Sequence, residues 1–182
     1  LVNGVVGLMA TGGSTNLIIH ISAMGRSVGY EMTLADIAEL SQVTPLLARI
    51  YPNGSADVNQ FHAAGGMAFV IRELLAADLL HADARSVIGE PISAYAREPS
   101  LSQGHLYWKE APADSGDESI LRPAGNPFSP QGGLCRLQGN LGEAVIKISA
   151  LDESKWRVSA PARVFDSQQA MAVLLTLWQS IA

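Results

Sequence analysis

Ala10-Thr11-Gly12-Gly13-Ser14-Thr15-Asn16, followed at once by Leu17, Ile18, Ile21, Met24 and Val28, is the stretch from which the rest of the chain is read. The apolar residues after the glycine pair recur at helical spacing, so the pair feeds a helix N-terminus. Ser14, Thr15 and Asn16 all favour N-cap positions, and the first N–H groups of a helix have no intrahelical partner. The loop therefore offers several donors at the positive end of a helix dipole, where a carboxylate or phosphate is held. The alternative is an ordinary tight turn with one capping hydroxyl. Two nucleotide loops are excluded, because no Lys follows as in GxxxxGK[ST] and the glycine spacing does not satisfy GxGxxG. His20 shares a helical face with Leu17 and Met24. It reads as a hydrogen-bonded core residue, with a role at the loop as the alternative.

Outward from this loop, the chain to about Gly89 reads as helices joined by Gly, Asn and Pro punctuation. Thr33-Leu34-Ala35-Asp36 has the form of a capping box and opens a helix whose Leu34, Ile37, Ala38 and Leu40 face inward. Tyr51-Pro52-Asn53-Gly54 is a turn, and Asp57 after it caps a helix on which Asn59 and His62 share a face, with Val58 and Phe61 as apolar anchors. That turn presents an amide and an imidazole to a polar ligand, or is simply a loop with an exposed histidine. Gly65-Gly66 breaks the pattern, after which Met67, Val70, Ile71, Leu74 and Leu75 form a buried stripe with Arg72 and Glu73 on the wet side.

Beyond Gly89 the character changes. Residues 90–129 carry Pro91, Pro99, Pro112, Pro123 and Pro127 and read as a connection of loops and isolated strands. Residues 133–137 and 144–148 are strand-length runs either side of Gly139-Asn140-Leu141-Gly142, which predicts a hairpin or adjacent strands. From Gln168 to Ile181, Met171, Leu174, Leu175 and Trp178 return to helical spacing.

Composition narrows the function. The 12 Lys+Arg against 17 Asp+Glu give a net charge of −5 with no basic run, which argues against a nucleic-acid partner. Cys135 is the one cysteine, so no intrachain disulfide forms and a reducing cytoplasm fits best. On its strand Cys135 reads as a small hydrophobe, since Arg136 points to the opposite face. No stretch is long and apolar enough to span a membrane, and Leu1-Val2-Asn3-Gly4 lacks both a basic leader and an initiator Met, which reads as an internal segment. The four histidines are scattered and no metal-ligand spacing is present. The residues alone thus give an α/β segment with a candidate anion site.

Taken together, residues 9–16, Tyr51-Pro52-Asn53-Gly54 with Ala56-Asp57-Val58-Asn59, His62-Ala63-Ala64-Gly65-Gly66-Met67-Ala68-Phe69, and Gly139-Asn140-Leu141-Gly142 with Val145-Ile146-Lys147 resemble the dihydroxy-acid/6-phosphogluconate dehydratase family. The run from Tyr51 to Phe69 resembles its phosphogluconate branch. The resemblance implies a cytoplasmic, homodimeric hydro-lyase of the Entner–Doudoroff route that uses an iron–sulfur cluster and Mg²⁺ and acts on a small sugar acid phosphate. The cluster cysteines and acidic Mg²⁺ ligands of the family lie upstream of the Gly-Gly-Ser-Thr-Asn motif, so this chain would be a fragment, inactive alone. The fold it implies is α/β. Residues 1–89 would be the mainly helical end of a layered α/β domain, 90–129 the connection, and 130–182 the start of a swivelling β-barrel domain. By motif, Gly13, Ser14, Thr15 and Asn16 would line the substrate cavity, with Asp57, Asn59 and His62 contacting the sugar phosphate. A dihydroxy-acid or other sugar-acid dehydratase is the alternative within the family. A non-catalytic anion-binding module is the alternative outside it.

Overall fold

The computed structural model describes residues 1–179 of the 182. The chain divides into two compact units, Leu1–Asp152 and Glu153–Ala182. The first opens with five helices, α1 (Val2–Thr11), α2 (Asn16–Ser27), α3 (Leu34–Val43), α4 (Val58–Ala63) and α5 (Gly66–Ala76). Two antiparallel hairpins follow: β1 (Arg97–Ser102) with β2 (His105–Glu110), and β3 (Leu134–Gly139) with β4 (Gly142–Lys147). The expected α/β character is present. No closed barrel forms among the described residues, since those beyond 130 supply one two-stranded sheet, too few strands to close on themselves.

A single helix organises the core. Val5, Val6, Leu8, Met9 and Ala10 of α1 are all buried, as a helix apolar on every side must be. Val6 and Ala10 join Leu47, Ala48, Phe61, Phe69, Val70, Leu74 and Leu121 in one cluster, while Val5, Leu8 and Met9 join Ile18, Ile21, Ile37 and Leu134 in the other. At the C-terminal end of α1 the Ala10 carbonyl, which has no helical partner, accepts from the N–H groups of Leu47 (2.7 Å) and Ala48 (3.2 Å). The extended segment that follows pairs with residues far ahead in sequence. Arg49 N–H donates to the Ile120 carbonyl and Arg122 N–H to the Leu47 carbonyl, both at 2.8 Å, around the antiparallel bridge Ala48–Leu121. The proline-rich stretch therefore forms β1–β2 and then returns Ile120 and Leu121 to the core.

Several expectations are met locally. Thr33 and Asp36 form the capping box of α3, in which hydrogen bonds from Thr33 hold the Asp36 carboxyl below its ordinary 3.8. The β3–β4 hairpin turns at Asn140 and Leu141 with Gly139 opposite Gly142. Others need correcting. On α2 only Ile18, Ile21 and Gly25 are buried. Leu17, Met24 and Val28 are exposed, and so is His20, which is not a core histidine. The reason is that α2 packs chiefly against α1, which covers one narrow stripe. Val58 is exposed, leaving Phe61 alone as the anchor of α4, and Met67 is exposed at the start of α5.

The second unit holds a short 3-10 turn, Glu153–Lys155, and α6 (Gln168–Gln179). The apolar stripe of α6 is largely exposed at Met171 and Leu175. Its expected end at Ile181 lies outside the described residues, as does the side chain of Trp178.

Candidate functional site

The turn between α1 and α2 is fixed by its backbone. Gly12 sits in the left-handed region (φ 59°, ψ 38°) and ends α1 by donating back to the Leu8 and Met9 carbonyls. A Cβ on Gly12 would fall 2.1 Å from Asn53 Nδ2, so the position is closed to any side chain unless Asn53 moves. Asn53 Nδ2 donates to the Gly12 carbonyl at 2.5 Å, and its Oδ1 accepts from Ser149 Oγ at 2.8 Å. One half-buried amide thus ties the first motif to the Pro-Asn-Gly turn and to the chain just after β4.

The start of α2 uses most of its donors internally. Ser14 Oγ accepts from Asn16 N–H at 3.2 Å, the Ser14 carbonyl from Leu17 N–H at 3.0 Å, and the Thr15 carbonyl from Ile18 N–H at 3.1 Å. Thr15 is the N-cap residue, but its backbone is already helical and its side chain makes no capping bond. Among the described residues, the N–H groups of Ser14 and Thr15 have no protein acceptor. Two N–H groups at a helix N-terminus suffice for one carboxylate or phosphoryl oxygen. Gly13 backs the loop, donating to the Leu8 carbonyl at 3.0 Å. The cavity of about 360 Å³ behind it is lined mostly by apolar groups, among them Leu8, Leu17, Met67 and Ile71, and does not suit a sugar acid.

Asp57, Asn59 and His62 lie apart from this turn, with no hydrogen bond or ion pair to residues 13–16 among the described residues. Asp57 is the N-cap of α4, and its Oδ1 accepts from Gln60 N–H while Gln60 Oε1 accepts from Asp57 N–H, both at 2.8 Å. Asn59 is exposed. His62, also exposed, places Nε2 3.1 Å from Glu98 Oε1 on β1, and the other carboxylate oxygen receives Lys109 Nζ of β2 at 2.9 Å. That bond to Glu98 holds the Lys109 ammonium above its ordinary 10.5.

No group of three or more His, Cys, Asp or Glu able to hold a metal ion exists among the described residues. Cys135 is half-buried, and its thiol leans on the Arg136 carbonyl at 3.5 Å. With a single cysteine and no such group, the described residues do not supply the ligand set of an iron–sulfur cluster.

Sequence reasoning missed Asn53, Ser149 and Glu98. The Pro-Asn-Gly turn was visible, but nothing local says that its amide reaches a carbonyl 41 residues back and a hydroxyl 96 residues ahead. It also misplaced Arg72 and Glu73. Arg72 donates to the carbonyls of Pro112 and Ala113, and Glu73 Oε2 accepts from Ala124 N–H at 3.0 Å, so the face read as wet holds the returning chain.

Residues 1–95 match the family model described as dihydroxy-acid/6-phosphogluconate dehydratase N-terminal, and residues 119–179 match its C-terminal counterpart. Over 172 residues, 94% of this chain, the sequence is 51% identical to the phosphogluconate dehydratase of Pseudomonas aeruginosa. It is 51% identical over 169 residues (92% of the chain) to that of Zymomonas mobilis. Identity to the dihydroxy-acid dehydratase of Sulfurisphaera tokodaii is 37% over 170 residues, 92% of the chain. In each case the match spans 28% of the relative's length.

Proposed function

The chain belongs to the dihydroxy-acid/6-phosphogluconate dehydratase family, and from that membership we propose that it is an internal segment of a hydro-lyase converting 6-phosphogluconate to 2-keto-3-deoxy-6-phosphogluconate, inactive alone. The observation that carries the substrate is the gradient of identity, 51% to phosphogluconate dehydratases against 37% to a dihydroxy-acid dehydratase. In this reading residues 1–89 close the layered α/β domain, 90–129 connect, and 130–182 open the barrel domain of a longer, homodimeric, cytoplasmic protein. No helix among the described residues is long and apolar enough to cross a membrane, which fits the reading.

Dehydration removes a proton from the carbon beside the carboxylate and a hydroxyl from the next carbon, and the resulting enol tautomerises to the 2-keto acid. Negative charge grows on the carboxylate side as the proton leaves. Residues 13–16 would meet that need, with the N–H groups of Ser14 and Thr15 aimed at a carboxylate oxygen at the positive end of α2, and Gly13 and Asn16 shaping the loop. Asn53 acts through the loop as a positioning residue. Asp57, Asn59 and His62 would contact the sugar phosphate from the α4 side. The iron–sulfur cluster and Mg²⁺ of the family would be held by parts of the protein outside this chain, whose own share is binding and orientation.

The test is an anaerobic assay of the full-length protein for 2-keto acid formation, with 6-phosphogluconate and with a branched 2,3-dihydroxy acid. Turnover of 6-phosphogluconate is expected. Turnover of the branched acid alone would overturn the substrate assignment in favour of the dihydroxy-acid branch.

A further inference from the structure

Two arginines share one aromatic ring. Arg49 Cζ lies 4.5 Å and Arg122 Cζ 4.3 Å from the centroid of Phe128. The backbone explains why they meet: Arg49 and Arg122 flank the Ala48–Leu121 bridge diagonally, so their side chains leave the same side of the pair. Phe128 is brought beneath them by its N–H, which donates to the Leu46 carbonyl at 2.9 Å.

Neither guanidinium has a carboxylate within 4.0 Å among the described residues, whereas Arg72 and Arg136 each have a glutamate. Like charges gathered without a counter-charge repel, and in a chain of net charge −5 such a pair is not a by-product of excess arginine. Each guanidinium carbon lies over the ring, a cation–π contact, and the fork of N–H donors on a guanidinium recognises phosphate oxygens in pairs. Arg122 spends Nε on the Glu118 carbonyl at 3.0 Å, which steadies the group and leaves its terminal nitrogens.

The pair also adjoins the motif corner. A Cβ on Gly54 would fall 2.6 Å from the Arg49 carbonyl oxygen and 2.9 Å from Arg49 Cβ, so Arg49 lies directly against the turn whose Asn53 holds Gly12.

We propose that Arg49 and Arg122, stacked on Phe128, form a phosphate-monoester site that takes the terminal phosphate of the sugar acid. The identity of that ligand rests on the dehydratase reading, but the binding of phosphate does not. The experiment titrates the full-length protein calorimetrically with inorganic phosphate and measures its kinetics with 6-phosphogluconate. Arg49→Gln and Arg122→Gln are each expected to weaken phosphate binding by about tenfold and raise KM for 6-phosphogluconate by a similar factor, with kcat little changed. Phe128→Leu, which keeps both charges and removes the platform, is expected to cost about threefold. Arg26→Gln, at the exposed end of α2, is expected to change neither. Wild-type phosphate affinity in both arginine variants, or no phosphate binding by the unmutated protein, overturns the site. Arginine-dependent phosphate binding without any turnover of 6-phosphogluconate sustains the site and overturns the dehydratase reading, whereas turnover with unaltered KM in both variants does the reverse.

Discussion

The corner where Gly12 meets Asn53 and the helix start where Asp57 meets Gln60 are both motif-rich turns leading into helices, and both supply candidate site residues. They are held in different ways. At the corner, a left-handed glycine with no room for a side chain is locked by an amide bonded on both its atoms to distant parts of the chain. At the helix start, the bonds are a local capping box and a His62–Glu98–Lys109 chain whose two ends are exposed. Burial and backbone geometry make the first rigid, while solvent screens the second. Under the proposed function the difference bears on roles: a loop that would hold an anion in one place gains from the first construction, and contacts to a flexible sugar phosphate would tolerate the second.

Mutation can break this contrast. Gly12→Ala imposes an unfavourable φ and a clash with Asn53, and is expected to cost about 2–3 kcal/mol in urea unfolding. A loss below about 1 kcal/mol would mean that Asn53 yields and the corner is not rigid. Asn53→Ala removes both amide bonds and is expected to cost about 1–2 kcal/mol, with coupling to Ser149→Ala in a double-mutant cycle. Strict additivity would show that the two sides of the amide act independently. Asp57→Ala removes the cap of α4, for which about 1 kcal/mol is expected from the same denaturation series.

Smaller effects sharpen the other side. His62→Ala is expected to shift stability by less than about 0.5 kcal/mol, because His62 is exposed and its pair with Glu98 is screened. A loss comparable to that of Asn53→Ala would erase the contrast. The Lys109 pKa is raised in the folded state by its bond to Glu98, so the stabilisation is fully present below the ordinary 10.5 and fades as pH rises through the folded value. Alkaline titration of stability is expected to show this fading in the unmutated chain and to lack it in Glu98→Gln.

How much of this was legible depended on how far apart the partners lie. The capping residues of α3 and α4 and the β3–β4 hairpin are interactions between residues a few positions apart, and all were readable from spacing. The polar face of α5 was not. Helical periodicity puts Arg72 and Glu73 opposite the core, yet residues 111–124 return over them and take their hydrogen bonds. His20 failed for the converse reason, since an apolar stripe predicts burial only if a neighbour covers its whole width. At the candidate site, the motifs marked residues 13–16 as a loop at a helix start, but the amide that fixes that loop and the arginines beside it are joined by pairings across 41 to 96 residues, which no local pattern encodes.

The most direct test of the central claim, that the Asn53-held corner positions the dehydratase loop, is kcat/KM for 6-phosphogluconate of the full-length protein carrying Asn53→Ala, measured where the variant is fully folded. The account predicts a fall of about a hundredfold carried by kcat rather than KM. Wild-type kcat in that variant would contradict it.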